Sequence, residues 1–373
     1  MPKTVLHVVG ARPNLVKVAP IMRDMARTPE RFRQVLVHTG QHYDDRMSRI
    51  FFDELGIPNP DVHLGVGSGS HAYQTATIMQ RLEQTLLDYR PDVVVVYGDA
   101  NSTLAGALTA AKLDLPVAHV EAGLRSFDRT MPEETNRVVT DHISELLFTP
   151  SRDADANLAH EGIDSGKVHF VGNVMIDTLE QKRIQIENRP ILDELGLMSP
   201  EGNERKAREF IVATLHRPAN VDDVDALRLI VDALTEVGRR LPVVFPVHPR
   251  TRKSIGALRS LKASPIMFTE PTGYLDFLCL LRHATLVVTD SGGVQEETTY
   301  LYVPCLTVRP NTERPVTITQ GTNRLVDTRD GNFADAIREA LDSSREPARN
   351  QSGHPELWDG KTAARISGVL SAL

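Results

Sequence analysis

The chain is short of cysteine, of long apolar runs and of the glycine signatures that cradle dinucleotides. Cys279 and Cys305 are the only cysteines in 373 residues, and both lie inside apolar stretches. A disulfide framework is thereby excluded, and buried reduced thiols are expected. No apolar stretch approaches the length of a membrane span, and the MPKTVLHVVGARP start lacks the long apolar region and cleavage site of a signal peptide. A soluble cytoplasmic protein with no membrane partner is the expectation. Positive charge is in deficit: 42 Lys and Arg against 49 Asp and Glu leave a net charge of −7. That excludes broad nucleic-acid binding and leaves room for a local basic pocket. Tandem repeats, low-complexity tracts and coiled-coil heptads are missing. The first strand–helix turn carries neither Gly-x-Gly-x-x-Gly nor a Walker A pattern, so no bound dinucleotide is expected.

What is present is globular composition, 41% hydrophobic and 24% charged, over a length that suits two domains. Short β-rich runs at Thr4–Val9, Gln34–His38, Val93–Tyr97, Val117–Val120, Leu146–Thr149 and Val168–Val171 alternate with helical patterns such as Leu15–Ala26 and Tyr73–Leu87. This alternation predicts βα units and parallel sheets. A second series runs through Phe210–Thr214, Val243–Val247, Ile266–Phe268, Leu286–Thr289 and Cys305–Val308. Near-continuous apolar character suits strands covered on both faces. The fold class is therefore α/β, with two Rossmann-like doubly wound domains facing across a cleft. The division is placed near Val171–Gly172, giving 1–171 and 172–359. Glu201–Lys206, polar and next to Pro200, reads as a surface loop of the second domain.

Ligand loops in such sheets follow the strands. After the first strand, Gly10 permits a tight turn, Arg12 offers a planar fork suited to phosphate, and Lys17 lies about one turn into the next helix. Asp99 stands at the tip after Val93–Tyr97, where a helix N-cap is the plain alternative. Glu121 follows the next strand, and Glu133 opens a helix behind Pro132, where favouring the helix dipole is the plain alternative. Three acids on one sheet edge are harder to explain structurally, since like charges held close cost stability. In the second half, His216 and His248 follow strands, and neither is persuasive alone. The segment Asp290–Glu297 is sharper: Ser291, Gly292 and Gly293 make a turn nearly free of side chains at a helix start, suited to phosphate. Glu297, one turn on, is placed to accept from a ribose diol. Arg314 follows the next strand and is placed to neutralise a further phosphate charge.

At these residues the sequence resembles the non-hydrolysing UDP-N-acetylglucosamine 2-epimerase family. The likeness runs almost the full chain, through GARPNLVK, VVYGDANST, HVEAGLRS, MPEE, TLHR, TDSGGVQEE, TERP and the terminal WDGK segment. It implies a GT-B-like fold, with the C-terminal helix, 360–373, completing the first domain, and it implies a homodimer. It implies a catalytic set of Arg12, Lys17, Asp99, Glu121, Glu133 and His216. UDP ligands would be Ser291, Gly292, Gly293, Glu297 and Arg314, with Phe277 near the uracil. The implied activity is C2 inversion of UDP-N-acetylglucosamine without NAD, by loss and return of UDP through a 2-acetamidoglucal. Alternatives are C2 inversion of a related substrate such as UDP-2,3-diacetamido-glucuronic acid, a hydrolysing epimerase, a GT-B glycosyltransferase or a non-catalytic sensor.

Some residues depart from the family pattern. Asn14 replaces the glutamate of the common GTRPE start. The basic residues by which many bacterial members bind a second, activating substrate molecule are not matched at Gln41–Asp44, at Gly65–Ser70 or at Pro218. Substrate activation is therefore expected to be weak or absent.

Overall fold

In the computed structural model, which describes residues 1–41, 45–201, 204–247, 249–256, 265–330, 333–345 and 353–373, the chain forms two units. Met1–Gln181 and Pro355–Leu373 make the first, and Lys182–His354 the second.

The first unit runs through β1 (Lys3–Val9), α1 (Arg12–Met25), β2 (Phe32–His38), α2 (Asp45–Leu55), β3 (Val62–His63), α3 (His71–Tyr89) and β4 (Val93–Tyr97). It continues with α4 (Asn101–Lys112), β5 (Val117–Val120), α5 (Pro132–Ile143), β6 (Leu146–Thr149), α6 (Arg152–His160), β7 (Val168–Phe170) and α7 (Val174–Glu187), whose last residues belong to the second unit. The strands form one parallel sheet in the order β3-β2-β1-β4-β5-β6-β7. Leu6, Val8, Val35, Val37, Val94, Val96 and Val117 pack there against Ile78, Leu82 and Leu86 of α3 and Ala105, Ala107 and Ala110 of α4. Burying one such Val or Leu side chain is worth roughly 1.5–3 kcal/mol. All five residues of β4 are buried, as expected of a strand covered on both faces.

The second unit contains α8 (Ile191–Glu194), β8 (Met198–Glu201), β9 (Glu204–Ala207), β10 (Ile211–Thr214), α9 (Pro218–Val221), α10 (Val224–Gly238), β11 (Val243–Pro246), α11 (Pro249–Ile255) and β12 (Ile266–Thr269). Then come α12 (Tyr274–His283), β13 (Leu286–Thr289), α13 (Gly292–Leu301), β14 (Cys305–Val308), α14 (Val316–Thr319), β15 (Asn323–Val326) and α15 (Phe333–Arg345). Its main sheet is again parallel, ordered β12-β11-β10-β13-β14-β15. The strand order therefore reverses between β1 and β4 in one unit and between β10 and β13 in the other. Helices leave to opposite faces at such a switch point, which opens a crevice at the strand C-terminal ends.

The surface-loop reading of Glu201–Lys206 is corrected. Met198–Glu201 pairs antiparallel with Glu204–Ala207. A ladder satisfies backbone groups whatever the side chains are, so a polar sequence concealed it. Both cysteines are free and buried, and burial pushes their thiols up to about 11 at Cys279 and about 12 at Cys305. Among the described residues no helix is long and apolar enough to cross a membrane.

The last helix, α16 (Thr362–Ala372), belongs to the first unit. Its N-terminus is capped from α7, where the Asp177 carboxylate accepts N–H groups of Thr362 (3.1 Å) and Ala363 (2.7 Å). Trp358, just before it, donates its indole N–H to the Pro150 carbonyl at 3.0 Å. Asp177→Ala removes the cap. It is expected to cost about 1 kcal/mol, read as a lower urea midpoint with unchanged slope.

Candidate active site

At the first switch point α1 starts at Arg12, and Asn14 ties the turn together. Its side-chain oxygen accepts the N–H groups of Gly10 (3.1 Å) and Ala11 (2.9 Å), and its amide donates to the Tyr97 carbonyl at 2.8 Å. The residue that departs from the family pattern thus links the β1 turn to the end of β4, a donation no glutamate carboxylate makes. One turn on, Lys17 is buried and ion-paired with Glu121. The pair lies beneath Gly98, where a β-carbon would come within 2.8 Å of the Lys17 Nζ; Gly98 also adopts φ +62°. Glu121 itself holds φ +73°. A side chain in that left-handed region costs about 1–3 kcal/mol and persists only where the surroundings impose it.

Asp99 does not cap α4; Ala100 is the N-cap residue. The Asp99 carboxylate instead meets Arg137 at 2.5 Å, and its carbonyl accepts from the Asn136 amide at 2.8 Å. Arg137 also pairs with the buried Glu134, which accepts the N–H groups of Ser126 (2.9 Å) and Phe127 (2.8 Å). Burial disfavours the Glu134 carboxylate, but these N–H groups and Arg137 outweigh it and hold its carboxyl below the usual range. Of two adjacent glutamates, Glu134 is consumed by loop structure, while Glu133 sits half-buried in the first turn of α5. Arg12, also half-buried, stands over the Phe51 ring at 5.7 Å.

In the second unit one buried carboxylate organises the switch point. Asp290 accepts the backbone N–H groups of His216 (3.1 Å) and Arg217 (3.0 Å) and the Asn220 amide (3.0 Å). It also lies 3.1 Å from His216 Nδ1. A ring whose Nδ1–H is held this way turns Nε2 away from Asp290, and in the protonated ring Nε2 donates as well, the form that suits an anionic ligand. Beyond it, Ser291, Gly292 and Gly293 open α13 half-exposed, with no side-chain cap on its N-terminus. A β-carbon on Gly292 would fall 2.4 Å from Arg314 Nη1, so the missing side chain is what admits the guanidinium. Arg314 is held by Glu296 at 2.9 Å and by Glu313. Glu313 also pairs with Arg309 (2.6 Å) and Arg217 (3.6 Å). Burial works against that carboxylate, yet Arg314, Arg309 and Arg217 hold its carboxyl well below the ordinary range. Three guanidinium groups share two glutamates, and one of them, Arg314, lies against the start of a helix, a chemistry suited to an anion.

Glu297 is buried and accepts from the Tyr274 hydroxyl at 2.9 Å. Burial pushes its carboxyl up to about 8. Phe277, half-buried, follows Tyr274 by one turn of α12. Asp290, Glu296, Arg309, Glu313, Asn136 and Arg137 were not singled out from sequence. Asp290, Glu296 and Glu313 lay inside quoted motifs; Asn136 and Arg137 bond to Asp99, distant in sequence, and Arg309 pairs with Glu313 four residues on. His248 and His42–Asp44 lie outside the described residues. Among the described residues no cluster of three or more metal-ligating side chains occurs.

A carboxyl pushed up to about 8 binds a proton in the fold that the unfolded chain has already lost near pH 5. Its contribution to stability is therefore full at low pH and lost as pH rises through 8. Glu297→Gln is expected to flatten the decline between pH 5 and 8, measured by urea unfolding at three pH values.

The family model described as UDP-N-acetylglucosamine 2-epimerase matches residues 24–371. A UDP-N-acetylglucosamine 2-epimerase of Methanocaldococcus jannaschii is 42% identical over 371 residues, 98% of each chain. A UDP-2,3-diacetamido-2,3-dideoxy-D-glucuronate 2-epimerase of Pseudomonas aeruginosa is 42% identical over 373 residues, 99% of each. The crystal structure of the M. jannaschii UDP-GlcNAc 2-epimerase, in complex with UDP-GlcNAc and UDP, is similar with a TM-score of 0.88. It is 40% identical and covers 100% of both chains.

Proposed function

The chain belongs to the UDP-N-acetylglucosamine 2-epimerase family, and from that premise we propose that it interconverts UDP-N-acetylglucosamine and UDP-N-acetylmannosamine by loss and return of UDP. The observation that carries the proposal is the Lys17–Glu121 pair at the first switch point, set beside Gly98 and Asp99.

The hydrogen at C2 is not adjacent to a carbonyl carbon, so direct deprotonation at neutral pH is out of reach. Departure of UDP from C1 leaves an oxocarbenium-like centre that acidifies it. Loss of the C2 proton to a carboxylate gives 2-acetamidoglucal; protonation from the other face and return of UDP to C1 complete the inversion. No electrons leave the substrate, so no dinucleotide is required. Proton removal and delivery on opposite faces call for more than one acid or base, and Asp99, Glu121 and Glu133 fill those roles. The leaving diphosphate is received by the Ser291–Gly293 helix terminus, Arg314 and His216. Arg12 and Lys17 add positive charge in the first unit, Lys17 shared with Glu121. Glu297 faces the ribose and Phe277 the uracil. The homodimer that the resemblance implies belongs to the same reading.

The Pseudomonas relative, equally similar over its whole length, favours a second reading in which the sugar is a diacetamido-uronate. Incubation with each UDP-sugar, followed by NMR for C2 inversion, decides between them. Inversion of UDP-N-acetylglucosamine is expected; inversion of the uronate alone would reassign the substrate, and inversion of neither would refute the reaction. Glu121→Gln is expected to lower kcat by about 10²–10⁴-fold while UDP affinity, measured by calorimetry, stays within about threefold. UDP-N-acetylmannosamine alone is expected to turn over with a hyperbolic rate curve. A requirement for added UDP-N-acetylglucosamine would show substrate activation.

A further inference from the structure

The proposed reaction needs Glu121 and Asp99 held in fixed directions, and a buried polar chain with no other evident task touches both of their loops. His119, in β5, has no exposed surface. Its Nε2 lies 2.7 Å from the Gly98 carbonyl and its Nδ1 2.6 Å from Asp141 Oδ1. Both partners offer oxygens to the ring, so the imidazole bridges them. The other oxygen of Asp141 accepts the Gly123 N–H (3.1 Å) and Arg125 Nη1 (2.7 Å). Arg125 in turn forks onto Glu161, with both bonds at 2.7 Å.

Connectivity gives this chain its meaning. His119 stands two residues before Glu121, and Gly123 two residues after it. Asp141 on α5 therefore grips both flanks of Glu121, whose φ of +73° needs restraint from outside. Through the Gly98 carbonyl, His119 also fixes the peptide that leads into Asp99. Burial works against ionisation of Asp141, yet His119 and Arg125 hold its carboxyl below the usual range. Buried charge networks of this kind often add little net stability over apolar side chains of the same volume, so stability alone is a poor reason to build one here.

We propose that His119 and Asp141 are positioning residues of the epimerase, which set the aim of Glu121 and Asp99 without touching the substrate. The inference rests on the epimerase reading above.

The test compares His119→Asn and Asp141→Asn with His7→Asn. His7 is an equally buried histidine of the same sheet, bonded to the Tyr97 hydroxyl (2.6 Å) and to Gln34 (3.2 Å). His119→Asn and Asp141→Asn are each expected to lower kcat about 100-fold, with KM and UDP affinity within about threefold. His7→Asn is expected to lower the melting temperature to a similar extent and leave kcat within about threefold. Losses of kcat that simply follow melting temperature across the three variants would overturn the proposal. Should His119→Asn fail to fold, Asp141→Asn, which keeps the side-chain shape, carries the same expectation. A crystal structure of Asp141→Asn separates this inference from the choice of substrate. Movement of Glu121 out of the left-handed region, or rotation of the Gly98–Asp99 peptide, supports positioning whichever sugar the enzyme takes. An unmoved loop together with an unchanged kcat contradicts it.

Discussion

Lys17 and Glu121 meet almost without exposed surface, where the first turn and a half of α1 passes beneath Gly98. Withdrawing two ions from water costs several kcal/mol each, and their attraction offsets this only when geometry is tightly held. Much of the surrounding structure supplies that hold. Asn14 locks the turn that launches α1, Gly98 leaves the space that any β-carbon would fill, and Glu121 accepts a left-handed backbone to reach inward. Asn136 and Arg137 of α5 then fix Asp99 beside it. A cluster assembled in this way has a defined charge arrangement before any ligand arrives, which the proposed proton transfers require.

The second unit uses the same strand-order reversal for the opposite electrostatic purpose. Its buried acids are there to hold cations. Asp290 fixes His216, Glu313 gathers Arg217, Arg309 and Arg314, and Glu296 secures the far side of Arg314. Arg314 is thereby ordered against Gly292 at the start of α13, where the proposed reaction needs a fixed positive charge. In the proposed reaction the carboxylates of one unit move the proton and the positive groups of the other receive the leaving group. The family membership and the structure thus bear on different questions. Membership gives the reaction class, and the buried pairings support the proposed roles of the site residues.

Much of the fold was legible because both main sheets are built from continuous apolar runs bounded by turn residues, as at Val93–Tyr97 and Leu286–Thr289. The short or polar strands, Val62–His63, Asn323–Val326 and the Met198–Ala207 ladder, carry no such pattern. Motif residues at the strand ends were legible for a related reason: a loop after a parallel strand has one place to go. The supporting residues were not. His119 reads as one more buried residue in a strand, and only tertiary pairing with Asp141 and the Gly98 carbonyl gives it a task. Glu133 and Glu134 are neighbours of identical chemistry, and nothing local tells which is tied to the Ser126–Phe127 loop.

The central claim is that C2 is inverted by breaking the C1–O bond and exchanging the C2 proton, with no change of oxidation state. Turnover of UDP-N-acetylglucosamine in deuterated water, with the product resolved by NMR and mass spectrometry, tests it most directly. The account predicts UDP-N-acetylmannosamine carrying deuterium at C2, formed without added nicotinamide. Product that keeps its original C2 hydrogen would contradict it.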